Sequence, residues 1–358
     1  MKRHTINIIF LLAAVLLVMA AQYGLLDNYV LTVLMFMGIN VIFATSLNLV
    51  NGYMGEFSCG HAGFMCVGAY VGSLMSVAFF TKSALFGGPL LSPGLAPFLF
   101  PLVLLGAFVA AALCGLIVAL PSFNTRDDYL AIITIAANYI IISIIENIDV
   151  IGGPRGFSGM KQTVSAMRHV ADIPWMLLWV IVGVFICVLA LYRLMTSTYG
   201  KGISAVCQNE VAAEIMGINT NRVKIMAFMV SSGLAGVAGV LYAHVYGYVN
   251  PQAFNIMKST EGLVMVYLGG MGSLSGVIMA AIAFTLLVEM LRFIIPAAND
   301  LLHFVNILPD SFELSQIWKW VIIPLILIML MQFRPEGILG NRELTQVFPR
   351  LKRWITLK

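Results

Sequence analysis

The chain has 358 residues, of which 60% are hydrophobic and only 10% are charged, and its formal net charge is +4. Soluble domains carry about 25% charged residues, so this composition excludes a water-soluble globule and indicates an integral membrane protein. Long apolar runs joined by short loops indicate helices and not a β-barrel, whose strands alternate over about ten residues. The sequence therefore predicts an all-α polytopic membrane protein, with one transmembrane domain over residues 1–358.

About ten transmembrane helices follow from the rule that a crossing helix needs about 20 apolar residues. The eighth run is too short to cross as a full helix, so it is predicted to be a broken or re-entrant segment. The first is predicted to be an uncleaved span, because it is long for a signal peptide and other spans follow closely. In chain order the predicted spans are residues 6–26, 29–50, 60–80, 97–120, 129–148, 174–195, 225–246, 262–272, 277–295 and 317–333.

The distribution of Lys and Arg predicts the orientation. An even number of spans places both termini on one side, and that side would carry most of the 20 Lys and Arg residues. By the positive-inside rule both termini are predicted to be cytoplasmic. The basic residues gather at membrane edges, including the tail 334–358, and form no continuous stripe. We therefore expect contact with anionic lipid headgroups and no nucleic-acid partner.

Motifs for catalysis or metal binding are missing from the sequence. The five cysteines form no CxxC pair, so neither a metal site nor a disulfide framework is predicted. The glycine-rich stretch 269–276 (GGMGSLSG) lacks the lysine of a phosphate-binding loop, and it is predicted to be a break between two membrane segments. We expect no cofactor and no catalytic residue.

Two regions rich in small residues interrupt the apolar runs. Gly68, Gly72 and Ser76 repeat at i+4 within residues 55–72, and a second row comprises Ser231, Ala235, Gly239 and Ala243. Small residues at this spacing let helix backbones approach closely, so both rows are predicted to be packing faces. Polar groups near these rows tend to line an interior path. The candidate pathway residues are Ser58, Gly60, His61, Gly63, Asn138, Gly270 and Gly272.

For two of these candidates a structural role remains open. His61 taken by itself is better explained as a buried residue that hydrogen-bonds to another helix than as a pathway group. Asn138 would either cross-link helices or line the path. The pathway interpretation is stronger for the stretch as a whole than for His61 alone.

Residues 200–224 form a polar loop before an apolar run. Residues 204–216 are predicted to be one short amphipathic helix, with Cys207, Val211, Ala212, Ile215 and Met216 on one side, and Gly217 stands where a helix commonly stops. A short amphipathic helix between two spans on a basic face is suited to docking a soluble partner. A helix lying in the lipid headgroups or a plain folded connector is the alternative.

The sequence resembles the permease subunits of branched-chain amino acid ABC importers of the LivM type. The resemblance covers nearly the whole chain, and several blocks in the right order carry it, whereas no single block would suffice. They are residues 46–70, 128–136 (DYLAIITIA), 152–160 (GGPRGFSGM), 200–242, 261–281 and 333–340 (FRPEGILG).

The resemblance implies a non-catalytic subunit that works with several partners. These are a second, related permease, two cytoplasmic ATPases and a periplasmic or extracellular substrate-binding protein. It also implies that residues 200–224 are the ATPase-coupling loop. The matching positions in this chain are Asn209, Glu210, Ala212, Ala213 and Gly217.

Departures from the family pattern leave the substrate open. Residues 124–129 (NTRDDY) and 136–139 (AANY) differ from the usual blocks, and Ile151 and Arg155 stand where Thr and Asn are common. Related permeases are thought to carry urea, short amides or aromatic acids as well as amino acids. An ion-coupled secondary transporter is the alternative from another class, supported only by Glu56 and the glycine breaks, and a membrane-embedded enzyme ranks below it.

Overall fold

The computed structural model describes residues 15–82, 87–123, 129–304, 315–333, 337, 338 and 340. Within them the chain is almost entirely helical, and residues 15–22 form the described part of a first helix. The helices that follow are α1 Asn28–Asn48, α2 His61–Phe80, α3 Ala96–Ser122, α4 Tyr129–Glu146, α5 Met160–Val170, α6 Trp175–Thr196, α7 Thr198–Gln208, α8 Glu210–Ile215, α9 Thr220–Tyr246, α10 Ile256–Gly269, α11 Leu274–Phe304 and α12 Lys319–Phe333.

The all-α membrane architecture is confirmed, and the predicted spans coincide with helices wherever the structure describes them. Six helical stretches are long and apolar enough to cross a membrane within the described ranges. A seventh results if residues 130–146 and Asp149–Arg155, bent by 82°, count as one span. The count of ten is therefore approximate. Residues 6–14 of the first predicted span and nearly all of the basic tail lie outside the described residues.

Helix α9 lies at the centre of the bundle, and its row of small residues packs against the row on α2. A Cβ added at Gly68 would lie 2.2 Å from the Gly236 Cα, and one added at Gly239 would lie 2.0 Å from the Met65 carbonyl oxygen. Ser231 Oγ donates to the Ser46 carbonyl at 2.5 Å, which ties α9 to α1. The predicted packing faces are thus confirmed, and only glycine permits this separation of backbones.

The connection between α4 and α6, residues 149–173, contains more structure than its Pro and Gly content indicates. It holds two short 3-10 turns, α5, and a two-residue strand β1 (Phe157–Ser158) that pairs with β2 (Tyr248–Val249) in an antiparallel ladder. Met160, Thr163 and Met167 of α5 are buried against the bundle. Helix α5 is too short to cross a bilayer, and its one apolar face packs against the bundle. It therefore covers one end of the spans.

The eighth predicted segment is broken, as expected, although its helix starts earlier than predicted. Helix α10 has only 14 residues, and the chain then reverses into α11 through Gly270 (φ +103°) and Gly272 (φ +76°). A Cβ at Gly269 would lie 2.6 Å from the Gly276 carbonyl carbon. The glycines therefore permit both the turn and the close contact of the two helices it joins.

Candidate functional site

The predicted coupling helix 204–216 is wrong in one respect, because the segment forms two helices. Asn209 has extended backbone (φ −163°, ψ 107°), and its side chain accepts a hydrogen bond from the Ala212 backbone N–H at 2.9 Å. An asparagine that caps a new helix must leave the preceding one, which is why α7 ends at Gln208 and α8 begins at Glu210. We call α7, α8 and their connections, residues 198–219, the coupling segment.

The predicted end of the amphipathic helix is confirmed. Gly217 has a φ of +84°, and the Ile218 N–H donates to the Ala213 carbonyl at 3.0 Å, a bond typical of a helix end closed by glycine. Ala213 is only 4% exposed, whereas Ile215 and Met216 are 80% and 81% exposed. Helix α8 thus rests on the bundle through a small residue and presents bulky apolar side chains outward.

Lys224, at the start of α9, joins the coupling segment to the linker between α1 and α2 (residues 55–60). Its Nζ lies 2.8 Å from Glu210 Oε2 and 2.7 Å from Glu56 Oε1. The Lys224 side chain is largely buried, so a displacement of α8 would be transmitted to the linker through this bridge. Thr220 Oγ1 donates to Glu214 Oε1 at 2.8 Å and holds the other end of α8.

The α1–α2 linker is non-helical, and side chains hold it in addition to the backbone bond from the Glu56 N–H to the Val50 carbonyl at 3.1 Å. The Asn51 amide bonds both polar backbone groups of Ser58, accepting from its N–H at 3.3 Å and donating to its carbonyl at 3.4 Å. The Cys59 N–H donates to Thr134 Oγ1 at 3.2 Å, and a Cβ at Gly60 would lie 1.8 Å from the Thr134 carbonyl oxygen. Gly60 therefore lets the linker pass directly against α4.

His61 and Asn138 are buried polar residues on either side of this linker end. His61 Nε2 lies 2.9 Å from Ser46 Oγ, while its Nδ1 has no hydrogen-bond partner among the described residues. Both amide atoms of Asn138 are likewise buried without a partner in the described part of the chain. A Cβ at Gly63 would lie 2.8 Å from Asn138 Oδ1, so Gly63 makes room for that amide.

The break between α10 and α11 is fixed to α1 by one asparagine. Asn48 Oδ1 accepts from the Gly272 N–H at 3.2 Å, and its Nδ2 donates to the Ser273 carbonyl at 3.5 Å. The Ala62 N–H donates to Ser259 Oγ at 3.0 Å, which joins the start of α2 to α10. The predicted pathway residues on the linker and at this break thus lie around one end of α1.

A cavity of about 730 Å³ with both charged and apolar lining lies between α1, α9, α10 and α11. Its charged groups are Lys258, Glu261, Glu289 and Arg292. Lys258 Nζ lies 2.7 Å from Glu261 Oε2 and 3.5 Å from Asn40 Oδ1. Tyr29 Oη donates to Glu289 Oε2 at 2.5 Å. We call it the α1–α10 cavity.

A second polar cavity, of about 1070 Å³, separates the coupling segment from the α1–α2 linker, and Glu56, Asn209, Glu210 and Lys224 line it. Cys207 lies at the same place, where a Cβ at Gly55 would be 2.8 Å from its sulfur. Burial of this thiol, and then the nearby Glu56 carboxylate, raises the pKa of Cys207. The thiol therefore stays protonated at neutral pH.

Several of these residues were not predicted from the sequence. The sequence marks Lys224 only as a basic residue at a membrane edge. It gives no signal for Asn48 and Asn51. For Lys258 and Glu261 a signal existed, because opposite charges at i and i+3 beside an apolar run predict a paired site. Nothing in the local sequence identifies Asn40 as their neighbour.

Comparison with known proteins places these observations in a family. A family model described as the permease component of branched-chain amino acid transport systems matches residues 29–331. The chain is 28% identical to the high-affinity branched-chain amino acid transport permease LivM of Escherichia coli K12, over 92% of this chain and 74% of that protein.

Two further relatives cover most of both chains. A probable LivM of Methanocaldococcus jannaschii is 23% identical, over 90% of this chain and 96% of its own length. The LivH permease of Escherichia coli K12 is 26% identical, over 86% and 92%. No solved structure matches the chain.

Proposed function

The chain belongs to the family of branched-chain amino acid transport permease components, and from this membership we propose the assembly and mechanism in which it works. It is a multi-pass membrane protein whose relatives are transport permeases, not enzymes. In the proposed assembly it is the permease subunit of an ATP-driven importer for branched-chain or related amino acids. The similarity to both LivM and LivH supports a related permease as its partner.

The remaining proposed partners are two cytoplasmic ATPases and a substrate-binding protein on the outer side. The importer lies in the bacterial inner membrane with both termini in the cytoplasm. Lys201, Arg222 and Lys224 on and beside the coupling segment support this orientation, because basic residues concentrate on the cytoplasmic side. Residues 200–224 are then the cytoplasmic coupling loop within a single permease domain.

Two properties of α8 carry this proposal, namely its exposed apolar side chains and its charge bridge to the α1–α2 linker. Ile215 and Met216 form an exposed apolar surface suited to a groove on an ATPase. Glu210, on the same helix, is bridged through Lys224 to Glu56 of the linker. ATP binding that moves the ATPases would shift α8, and the bridge would pull the linker, which changes the balance of inward- and outward-facing states.

The proposed pathway runs along the linker end and the α10–α11 break. The side chains of Ser58, His61 and Asn138 have buried polar atoms without partners among the described residues, and such atoms can hydrogen-bond a passing polar solute. Gly60, Gly63, Gly270 and Gly272 line the proposed path with backbone only. The outer binding protein would supply most of the substrate specificity.

Two variants test the coupling role. Glu210→Lys reverses one end of the charge bridge, and Ala213→Trp forces a large side chain beneath α8 where only 4% of alanine is exposed. We expect both variant importers to insert, to assemble and to continue hydrolysing ATP. Their uptake should fall about tenfold or more, because overpacking and charge reversal displace α8. Uptake of labelled leucine and ATP hydrolysis are measured in proteoliposomes holding the full importer.

The control is Lys82→Glu, a charge reversal at an exposed residue after α2 and outside the coupling segment, for which uptake should remain close to normal. If Glu210→Lys and Ala213→Trp both transport normally, the coupling assignment is wrong. Uptake driven by an ion gradient without the ATPases would instead support a secondary transporter. Competition by urea, short amides and aromatic acids identifies the substrate class.

A further inference from the structure

We propose that the α1–α10 cavity is a transient binding site for a zwitterionic α-amino acid with an aliphatic side chain. The proposal rests on the proposed transport function and assigns the site on this chain that holds the cargo during passage. With Gly200–Lys224 on the cytoplasmic side, α9 ends and α1 begins at the outer side, so Tyr29 and Tyr246 would mark the outer rim of the cavity. Cargo released outside would therefore meet it first.

The charges in the cavity match those of a zwitterion. Two cations, Lys258 and Arg292, and two carboxylates, Glu261 and Glu289, line it, so the lining has no net charge. A zwitterion presents one carboxylate and one ammonium and adds no net charge to such a site. A simple anion or cation would add a net charge beside Lys258 and Glu261, whose side chains are only 16% and 20% exposed, and a charge without its counter-charge is costly there.

The deeper charge pair has unused hydrogen-bonding capacity. The Lys258 ammonium has three donors, and Glu261 at 2.7 Å and Asn40 at 3.5 Å occupy two of them. Among the described residues no acceptor takes the third, which is available to a carboxylate. The Glu261 carboxylate accepts the bond from Lys258 through Oε2, and its second oxygen is available to an ammonium. The two side chains are 16% and 20% exposed, so water only partly screens them.

The cavity also has a place for an aliphatic side chain. Val33 and Phe36 of α1 and Val288 of α11 line it together with the charged groups. Its volume of about 730 Å³ lies within the range of about 300 to 1,000 Å³ common for small-molecule sites. Asn40 is held by Thr285, to whose Oγ1 its Nδ2 donates at 2.9 Å, so its oxygen stays directed at Lys258.

The experiment measures protection of a cysteine placed in the cavity. Val288→Cys, combined with Cys207→Ser to remove the exposed native thiol, is assembled into the full importer in nanodiscs. The rate of modification by a membrane-impermeant thiol reagent is measured with leucine and without leucine. The binding protein is left out of both measurements. We expect leucine to slow the reaction, while 4-methylpentanoate and 3-methylbutylamine, which each lack one charge, do not.

Variants of the charge pair supply the second arm. Lys258→Gln and Glu261→Gln should each raise the leucine concentration for half-protection by about tenfold or more, because each removes one charged partner. Lys258→Arg keeps the charge and should retain protection. Lys82→Gln removes a lysine outside the cavity and should leave protection unchanged. Should either glutamine variant fail to assemble, the two leucine analogues still test the site in the parent protein.

The two proposals fail separately. Equal protection by leucine and both analogues, or protection that survives loss of both Lys258 and Glu261, overturns the binding site. Absence of protection in nanodiscs, while proteoliposomes of the same importer with its binding protein take up leucine on addition of ATP, also overturns it but leaves the transport function intact. Absence of ATP-driven uptake of any amino acid by the unmodified importer overturns the transport function itself.

Discussion

The α2–α9 contact and the coupling segment are built on opposite principles. In the contact, Gly68 and Gly236 bring two backbones together so closely that a single methyl group would collide with main-chain atoms. In the coupling segment, Gly217 has open space around it, and the large side chains of Ile215 and Met216 are exposed. In the α2–α9 contact an added atom cannot fit unless the backbones move apart. In the coupling segment the large apolar side chains are not covered by the described part of the chain.

This difference indicates how force would pass through the molecule. Close-packed helices with backbone contact move as one body, because their interiors cannot deform continuously. An exposed short helix held by one buried alanine, one charge bridge and the Thr220–Glu214 hydrogen bond can shift against that body. The bundle would thus move as a rigid body, and the coupling segment would be the part through which a partner moves it. The following predictions challenge this comparison, from the largest expected effect to the smallest.

The packed contact should be the less tolerant of the two regions. Gly68→Ala places a Cβ 2.2 Å from the Gly236 Cα, and the helices must separate to accept it. Overpacking of this kind costs about 3 kcal/mol, which lowers the melting temperature of a chain of this length by about 4 °C. Thermal unfolding of the purified protein in detergent measures the shift. Gly94→Ala, where nothing lies within 4 Å of the added Cβ, is the control and should melt like the parent.

The apolar surface of α8 should matter for assembly and not for folding. Replacing Ile215 and Met216 together by serine removes two exposed apolar side chains that we expect an ATPase to cover. Burial of one such side chain contributes about 1.5 kcal/mol or more, so affinity for the ATPases should fall about tenfold or more. Binding of the ATPases to the permease pair measures this change. Unchanged affinity would contradict the docking surface, and an unchanged melting temperature is expected.

The charge bridge should have an intermediate effect. Lys224→Gln leaves Glu56 and Glu210 without their shared cation. Partly exposed pairs contribute about 1 kcal/mol, so leucine uptake per ATP hydrolysed should fall about fivefold. A double-mutant cycle with Glu56→Gln isolates the bridge, since the second substitution should then add little. Fully additive effects would mean that the two residues act independently.

The smallest effect concerns the thiol beside the bridge. Burial and Glu56 raise the pKa of Cys207, and only the thiolate reacts rapidly. Modification at pH 7.5 should be slower than for an unperturbed thiol and should accelerate about twofold or threefold in Glu56→Gln. Addition of the ATPases should slow it again by covering the coupling segment. Labelling followed by mass spectrometry measures all three rates, and Glu56→Gln without acceleration would remove Glu56 as a cause.

Local sequence patterns were sufficient for some of these features and insufficient for others. The i+4 rows at Gly68 and Gly239 predicted a packing face because such spacing places residues on one side of a helix. The stop at Gly217 followed from the preference of glycine for positive φ. The predicted single helix over 204–216 failed at Asn209, where a side-chain cap outweighed continuous amphipathic periodicity. The structured α5 was missed because its apolar face is short and lies in a Gly- and Pro-containing loop.

The sequence alone determined that this chain crosses a membrane repeatedly, where most spans lie, and which faces carry small residues. These properties depend on hydropathy and on helical period, which are local. Only the tertiary structure decided that Lys224 joins Glu56 to Glu210, that Asn48 holds the break at Gly272, and that Asn40 meets Lys258 in the α1–α10 cavity. Each of these contacts joins residues far apart in the chain, and helix packing, not periodicity, sets which side chains meet.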